Sequence, residues 1–166
     1  MKKLLLMRHA AANSQILEQD LNRTLSNVGI KEVSKAKEFI AGMKLDKILV
    51  SPSIRTMQTK DMLLNGKEYI RTEVNQQLYL ANAETILNII QAEDNNNECL
   101  LVIAHNPAIY QLALKIANKK QDNYELLLDN NMPTCCIVEI DFENIFSWHD
   151  AAKNSGTIVK IFAPNN

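Results

Sequence analysis

Short runs of consecutive apolar residues alternate along this chain with stretches in which apolar residues recur every three or four positions. Leu4 to Met7 is the first such run, and its shortness predicts a buried strand that leaves Arg8 and His9 at its carboxyl end. Ser26 then suits the N-cap of a helix: Ile30, Val33, Ala36, Phe39 and Ile40 follow at helical spacing until Gly42 stops it. Lys47 to Val50 reads as a second strand ended by Ser51-Pro52, and a second helix starts near Ser53 or Ile54 and runs to Leu64, with Asn65-Gly66 as its stop. Tyr69 to Val74 is expected as a third strand.

From Ala83 to Ala92, Ile86, Leu87, Ile89 and Ile90 mark a further helix, which the polar run Glu93 to Glu98 ends. The uninterrupted run Cys99 to Ala104 suits a strand buried on both faces, as in a parallel sheet. After His105-Asn106, Pro107 fits the first turn of a helix whose apolar face runs through Ile109, Leu112, Ala113 and Ile116. Cys135 to Asp141 and Thr157 to Phe162 are late strands, with no room for a helix of any length between them. Strand and helix thus alternate, which predicts an α/β fold: a three-layer α/β/α sandwich on a mostly parallel central sheet, as one domain over residues 1–166.

Composition narrows the function. At 166 residues the chain can bury a core without metals or disulfides. Its 18 Lys+Arg nearly balance 19 Asp+Glu, so no global field gathers nucleic acid or anionic lipid, and neither is expected as a partner. Three cysteines without CxxC spacing give neither a disulfide framework nor a zinc site, and fit a reducing cytoplasm. Met1 to Met7 resembles the opening of an export signal, but Arg8 and His9 interrupt the apolar run too early. A soluble protein that keeps its start is expected.

In parallel sheets reactive groups gather at the carboxyl ends of strands. Three such ends are polar here: Arg8-His9, Ser51 with Arg55, and His105-Asn106. Arginine presents a charged planar fork that matches phosphate oxygens, and histidine serves as nucleophile, acid or base near neutral pH. Two arginines and two histidines converging in one pocket would therefore suit phosphoryl transfer through a covalent histidine intermediate, with His9 attacking and its flanking arginines depressing its pKa. Most histidines at strand ends are merely satisfied polar residues. That reading suits His149, in a loop-like segment, while the adjacent Cys135 and Cys136 read as small core residues on opposite faces of a strand.

The Arg8-His9 pair, the block Ser51 to Thr59 and the block Ala104-His105-Asn106-Pro107 together resemble the histidine phosphatase superfamily, also called phosphoglycerate mutase-like. The segment Asp20 to Gly29, the stretch from Pro133 to Trp148 and the short length look most like its phosphohistidine phosphatases of the SixA type. The resemblance implies His9 as nucleophile, Arg8 and Arg55 as phosphate clamps and His105 as a further phosphate ligand, with no cofactor and no metal. It also implies Arg23 near the pocket mouth and Asn13 as a further substrate contact. The family motif is usually Arg-His-Gly; Ala10 replaces the glycine, which implies a turn with ordinary dihedrals.

Members that cleave stable esters carry a carboxylic acid after the third strand, and the candidates are Glu73 and Glu84. Glu84 falls close to the matching position, although it also suits an ordinary first-turn glutamate. Without an acid, phosphohistidine is the better substrate, since its imidazole leaves with a pKa of about 6.5 against about 10 for a phenol. About thirty residues separate Arg55 from Glu84, too few for a lid, so an open site is expected that suits a phosphorylated side chain on a phosphotransfer domain or phosphocarrier protein. The alternatives are a phosphatase or mutase for small phosphorylated metabolites, and a phosphate-binding module without turnover.

Overall fold

The computed structural model describes residues 1–14, 19–65 and 70–164. Its six-stranded sheet has the order β3-β2-β4-β1-β5-β6. β1 (Lys2–Arg8), β2 (Lys47–Val50), β3 (Arg71–Val74) and β4 (Cys99–Ala104) pair in parallel, while β5 (Ile137–Phe142) runs antiparallel to both β1 and β6 (Thr157–Phe162). β4 is one of the two central strands with all six residues buried, which is why its sequence is continuously apolar. At the edge, β3 has three of its four residues exposed.

Side chains alternate between the two faces of β1. Leu4 and Leu6 join a core with Leu100, Val102, Ile109, Leu112, Leu127 and Trp148, whereas Leu5 and Met7 join one with Ile48, Val33, Leu63, Leu101 and Ile103. The first core is covered by α3 (Ala83–Gln91), α4 (Ala108–Ile116) and α5 (Asp122–Asn130), the second by α1 (Asn27–Phe39) and α2 (Ile54–Leu64). The expected three layers are thus present. Ser26, Ser53 and Asn82 cap α1, α2 and α3 by accepting from the N–H of Gly29, Thr56 and Thr85. Among the described residues, no helix is long and apolar enough to cross a membrane.

Three expectations shift. The helix α5 carries no clear apolar period: Leu126 and Leu128 flank buried Leu127 and stay exposed, so packing on the sheet rather than pattern fixes it. β5 begins at Ile137 rather than Cys135, because Cys135 holds φ 60° in the turn before the strand. Gly66 and Tyr69, expected as a helix stop and a strand start, lie outside the described residues. Between β5 and β6 there is one 3-10 turn, Trp148–Asp150, anchored by the Trp148 indole donating to the carbonyl of Asn97 at 2.7 Å. Cys135 and Cys136 sit in opposite cores, as expected, and all three cysteines are buried and unpaired with one another.

Candidate active site

Register brings the three polar strand ends level. Arg8 pairs with Ala104 and Val50 with Ile103, so His9, Ser51 and His105 emerge side by side. The His9 backbone is held from both sides: its N–H donates to the Ala104 carbonyl and its carbonyl accepts from Cys135. The two imidazoles lie 5.2 Å apart, centroid to centroid.

Arg55, 5% exposed in the first turn of α2, joins them. Its Nε donates to His9 Nε2 at 3.3 Å and its Nη2 to His105 Nδ1 at 3.3 Å, so one edge of the guanidinium faces both rings. The other edge is held by Asp20: Nη1 donates to the Asp20 carbonyl at 2.6 Å and Nη2 to its Oδ2 at 2.8 Å. These donors fix the tautomers. A guanidinium cannot accept, so His9 Nε2 and His105 Nδ1 are the unprotonated nitrogens. His9 Nδ1–H accordingly donates to the Ala10 carbonyl at 2.8 Å, and His105 Nε2–H to Ser51 Oγ at 2.7 Å. His9 therefore presents a lone pair on Nε2 beside a guanidinium edge.

Arg8 completes the positive cluster. Its Nη1 donates to the Met132 carbonyl at 3.1 Å, and its buried Nε finds no partner among the described residues. An unsatisfied cationic donor in such a place is expensive unless an anion takes it. Asn106 supports the same carbonyl, its amide donating to Met132 at 3.0 Å.

Glu32, 4% exposed on α1, is the anion behind the cluster. Its Oε2 accepts from Ala11 N–H and its Oε1 from the Thr134 hydroxyl, both at 2.7 Å, so one carboxylate ties together the loops on either side of His9. Its charge also offsets the burial that lowers the pKa of Arg8. One turn earlier, Gly29 lets the helix touch the same loop: a Cβ there would meet the Ala11 carbonyl at 2.1 Å. Thr59, on the face of α2 that carries Arg55, accepts from Ala10 N–H at 3.1 Å. Ala10 itself is not among the residues with positive φ, in line with the ordinary turn its side chain implies.

Burial is the largest cause that lowers His9, to about 4; the Ala10 carbonyl opposes it, and Arg55, Arg8 and Arg23 add to it. The expected arginine effect is thus real but second to desolvation. His105 falls to about 3, again first through burial, then through His9 and Arg55. Unfolded histidines bind protons near pH 6.5, so below that pH the unfolded chain binds more protons than the folded one and stability falls with pH. Urea titrations are expected to show a loss of up to ~1.4 kcal/mol per pH unit per histidine from about 6.5 toward 4. Asp20 contributes only below this window, from its ordinary value toward about 2. A His9→Asn, His105→Asn double variant should flatten the slope; an unchanged slope would place the acid sensitivity elsewhere.

The other expected site residues divide. Arg23 reaches the mouth, where its Nη1 donates to Asp20 Oδ1 at 3.2 Å and its Nε to the Asn13 carbonyl at 2.9 Å. Asn13 spends its side-chain amide on Thr24 Oγ1 and the Leu25 carbonyl, pinning its own loop instead of reaching the cluster. Neither acid candidate joins. The Glu84 side chain is 58% exposed and pairs with Lys115 across α3 and α4, and Glu73 pairs with Lys47 at 2.7 Å on the sheet edge. Among the described residues, the carboxylate that does reach the cluster is Asp20, which also accepts from the Tyr79 hydroxyl at 2.9 Å. Burial pushes Asp20 up, but bonds from Arg55, Tyr79 and Arg23 outweigh it and hold the carboxyl at about 2. Tyr79 and Glu32 carry no sequence signal of their own; Asp20 opens the segment that resembles the SixA type and Ser51 stands at a strand end, but neither position shows by itself which side chain it meets. Among the described residues, no group of three or more His, Cys, Asp or Glu side chains could hold a metal ion.

Comparison with known proteins agrees with the motif blocks. Residues 4–80, which carry the first two blocks, match the family model of the histidine phosphatase superfamily (branch 1). No curated protein sequence matches the chain. Among solved structures, the chain resembles the protein named phosphohistidine phosphatase SixA from Nakamurella multipartitia, with a TM-score of 0.83 at 21% identity over 99% of this chain and 97% of that one. It resembles a protein histidine phosphatase SixA complexed with tungstate at TM-score 0.77 and 21% identity, over 99% and 98%. A protein from Escherichia coli str. K-12 named alpha-ribazole-5'-P phosphatase follows at 0.72 and 15%, over 99% and 98%. At these identities the likeness is one of fold: phosphoglycerate mutase-like, over the whole chain.

Proposed function

We propose that this chain is a metal-independent phosphatase that passes the phosphoryl group of a protein phosphohistidine through His9 to water. The observation that carries the substrate is Asp20: among the described residues, the carboxylate bonded to the cluster is held ionised by Arg55, Tyr79 and Arg23, and Glu73 and Glu84 are engaged elsewhere. An ionised carboxylate has no proton to give an alkoxide, whereas an imidazole, with a pKa of about 6.5, leaves with less help.

In the first step the His9 Nε2 lone pair bonds phosphorus as the bond to the leaving nitrogen breaks, its electron pair returning to the leaving ring. Arg8 and the inner edge of Arg55 stabilise the equatorial oxygens, supplying the charge that a metal would otherwise bring, and His105 joins them when the bound phosphoryl group gives its Nδ1 a proton. The Ala10 carbonyl holds the Nδ1 proton of phosphorylated His9, so the ring departs neutral when water attacks phosphorus. An open rim supports a protein substrate: Leu80, next to Tyr79, is 83% exposed. The SixA names among the structural relatives point the same way.

The deciding measurement compares kcat/KM on a phosphorylated phosphotransfer domain, a phosphocarrier protein, an aryl phosphate and phosphoglycerates, with EDTA present. Phosphohistidine proteins are expected to lead. A lead by a phosphoglycerate would favour the metabolite reading, and loss of rate with EDTA would remove metal independence.

A further inference from the structure

We propose that the Asp20 carboxylate accepts the N–H of the leaving imidazole at the pocket mouth, and so selects phosphoramidates over phosphate esters. This rests on the phosphohistidine reading above.

The geometry sets Asp20 and the two histidines on the same guanidinium, at the mouth where Arg23 and Tyr79 also reach. Arg55 gives its Nε–Nη2 edge to the two histidine nitrogens and its Nη1–Nη2 edge to Asp20. A phosphoryl group arriving at His9 Nε2 takes its oxygens to the first edge and leaves the second in place, so Asp20 stays anchored while substrate binds. Its Oδ2 is filled by Arg55 and Tyr79. Among the described residues, Oδ1 has one contact, the 3.2 Å bond from Arg23, and a carboxylate oxygen accepts two. With the Asp20 side chain 45% exposed, that remaining site is open to a ligand.

The chemistry asks for an acceptor there. Transfer from phosphohistidine to His9 is an exchange between two imidazoles: one N–P bond forms at His9 Nε2 and one breaks, with the electron pair returning to the substrate ring. If the substrate's distal nitrogen carries a proton, that ring begins cationic and departs neutral, and no proton moves. His9 becomes the mirror image, cationic with its Nδ1 proton on the Ala10 carbonyl. Asp20 gives the substrate ring the corresponding acceptor, with a full charge that favours its protonated form. An ester oxygen has no N–H to offer and gains nothing from this carboxylate. Among the described residues, Arg55, Arg23, Tyr79 and His105 are the titratable and charged groups that face Asp20.

The test compares the full-length wild type with Asp20→Asn on two probes, free phosphohistidine and p-nitrophenyl phosphate, across pH. Asparagine keeps an acceptor for Arg55 and loses the charge. The expected result is a loss on phosphohistidine at least tenfold larger than on p-nitrophenyl phosphate, with the alkaline limb of the phosphohistidine profile moved to lower pH. Asp20→Glu, which restores the charge, should recover part of the phosphohistidine rate, and it stands in should the asparagine variant not fold. Equal losses on both probes, with weaker binding of inorganic phosphate, would reduce Asp20 to a holder of Arg55 and overturn the inference alone. No turnover of phosphohistidine by the wild type, alongside hydrolysis of p-nitrophenyl phosphate, would overturn the substrate reading beneath it.

Discussion

His9→Ala is expected to lower phosphatase turnover by on the order of 10⁴-fold or more, the scale of loss when a covalent nucleophile is removed. The reason lies in the tautomer. His9 presents Nε2 as a lone pair because the Ala10 carbonyl takes the Nδ1 proton and the Arg55 Nε–H points at Nε2. His105 likewise turns its unprotonated nitrogen to Arg55, at Nη2, but its pKa falls below that of His9, to about 3, so it is the weaker base of the two. The fold should persist: the His9 backbone keeps its bonds to Ala104 and Cys135, and removing a buried imbalanced imidazole relieves the acid-side destabilisation it causes. The variant should still bind phosphate through Arg8 and Arg55, and should lose the acid-labile phosphoenzyme that wild type forms from labelled substrate. Wild-type-like turnover, or an undiminished phosphoenzyme, would sink the mechanism.

Arg55→Ala is expected to cost on the order of 10³-fold in kcat/KM, the upper range for one preorganised charge-stabilising donor. The estimate sits high because a single guanidinium holds three partners. Its loss removes the donor edge facing both histidines, frees Asp20 from its main counter-ion and deprives the phosphoryl oxygens of a fork. Lysine should rescue little, because a point charge cannot present two edges at once. The loss should show in phosphate affinity as well as in turnover, and His9 should titrate higher, since Arg55 is among the groups that hold it low. A tenfold or smaller effect, with lysine restoring full activity, would show that net charge alone matters there.

Most of the layout was legible because local pattern and tertiary role coincide. The β4 run from Cys99 to Ala104 is apolar throughout since both faces are covered, and Ser26 and Ser53 cap helices wherever those helices pack. The helix α5 was not legible, because Leu126 to Leu128 break the period and burial of Tyr124 and Leu127 is decided by the sheet below. At the site the same division holds. Arg8, His9, Arg55 and His105 were readable as the polar ends of three strands, since register in a parallel sheet brings such ends together. Glu84, offered both as an acid and as an ordinary first-turn glutamate, has the right spacing, but spacing along a chain cannot show that it pairs with Lys115 of another helix.

The sequence by itself determined the three strand ends, the residues they carry and the α/β order, because short-range periodicity and capping act within a few residues. Only the tertiary structure decided which charges answer one another. Glu32 reaches Ala11 and Thr134, and Asp20 reaches Arg55 and Tyr79, across 21, 102, 35 and 59 positions respectively. Those pairings set the protonation of the site: burial and bonded arginines leave His9 and His105 neutral and Asp20 ionised. Desolvation and hydrogen bonding are properties of a packed environment, and no stretch of chain carries them alone.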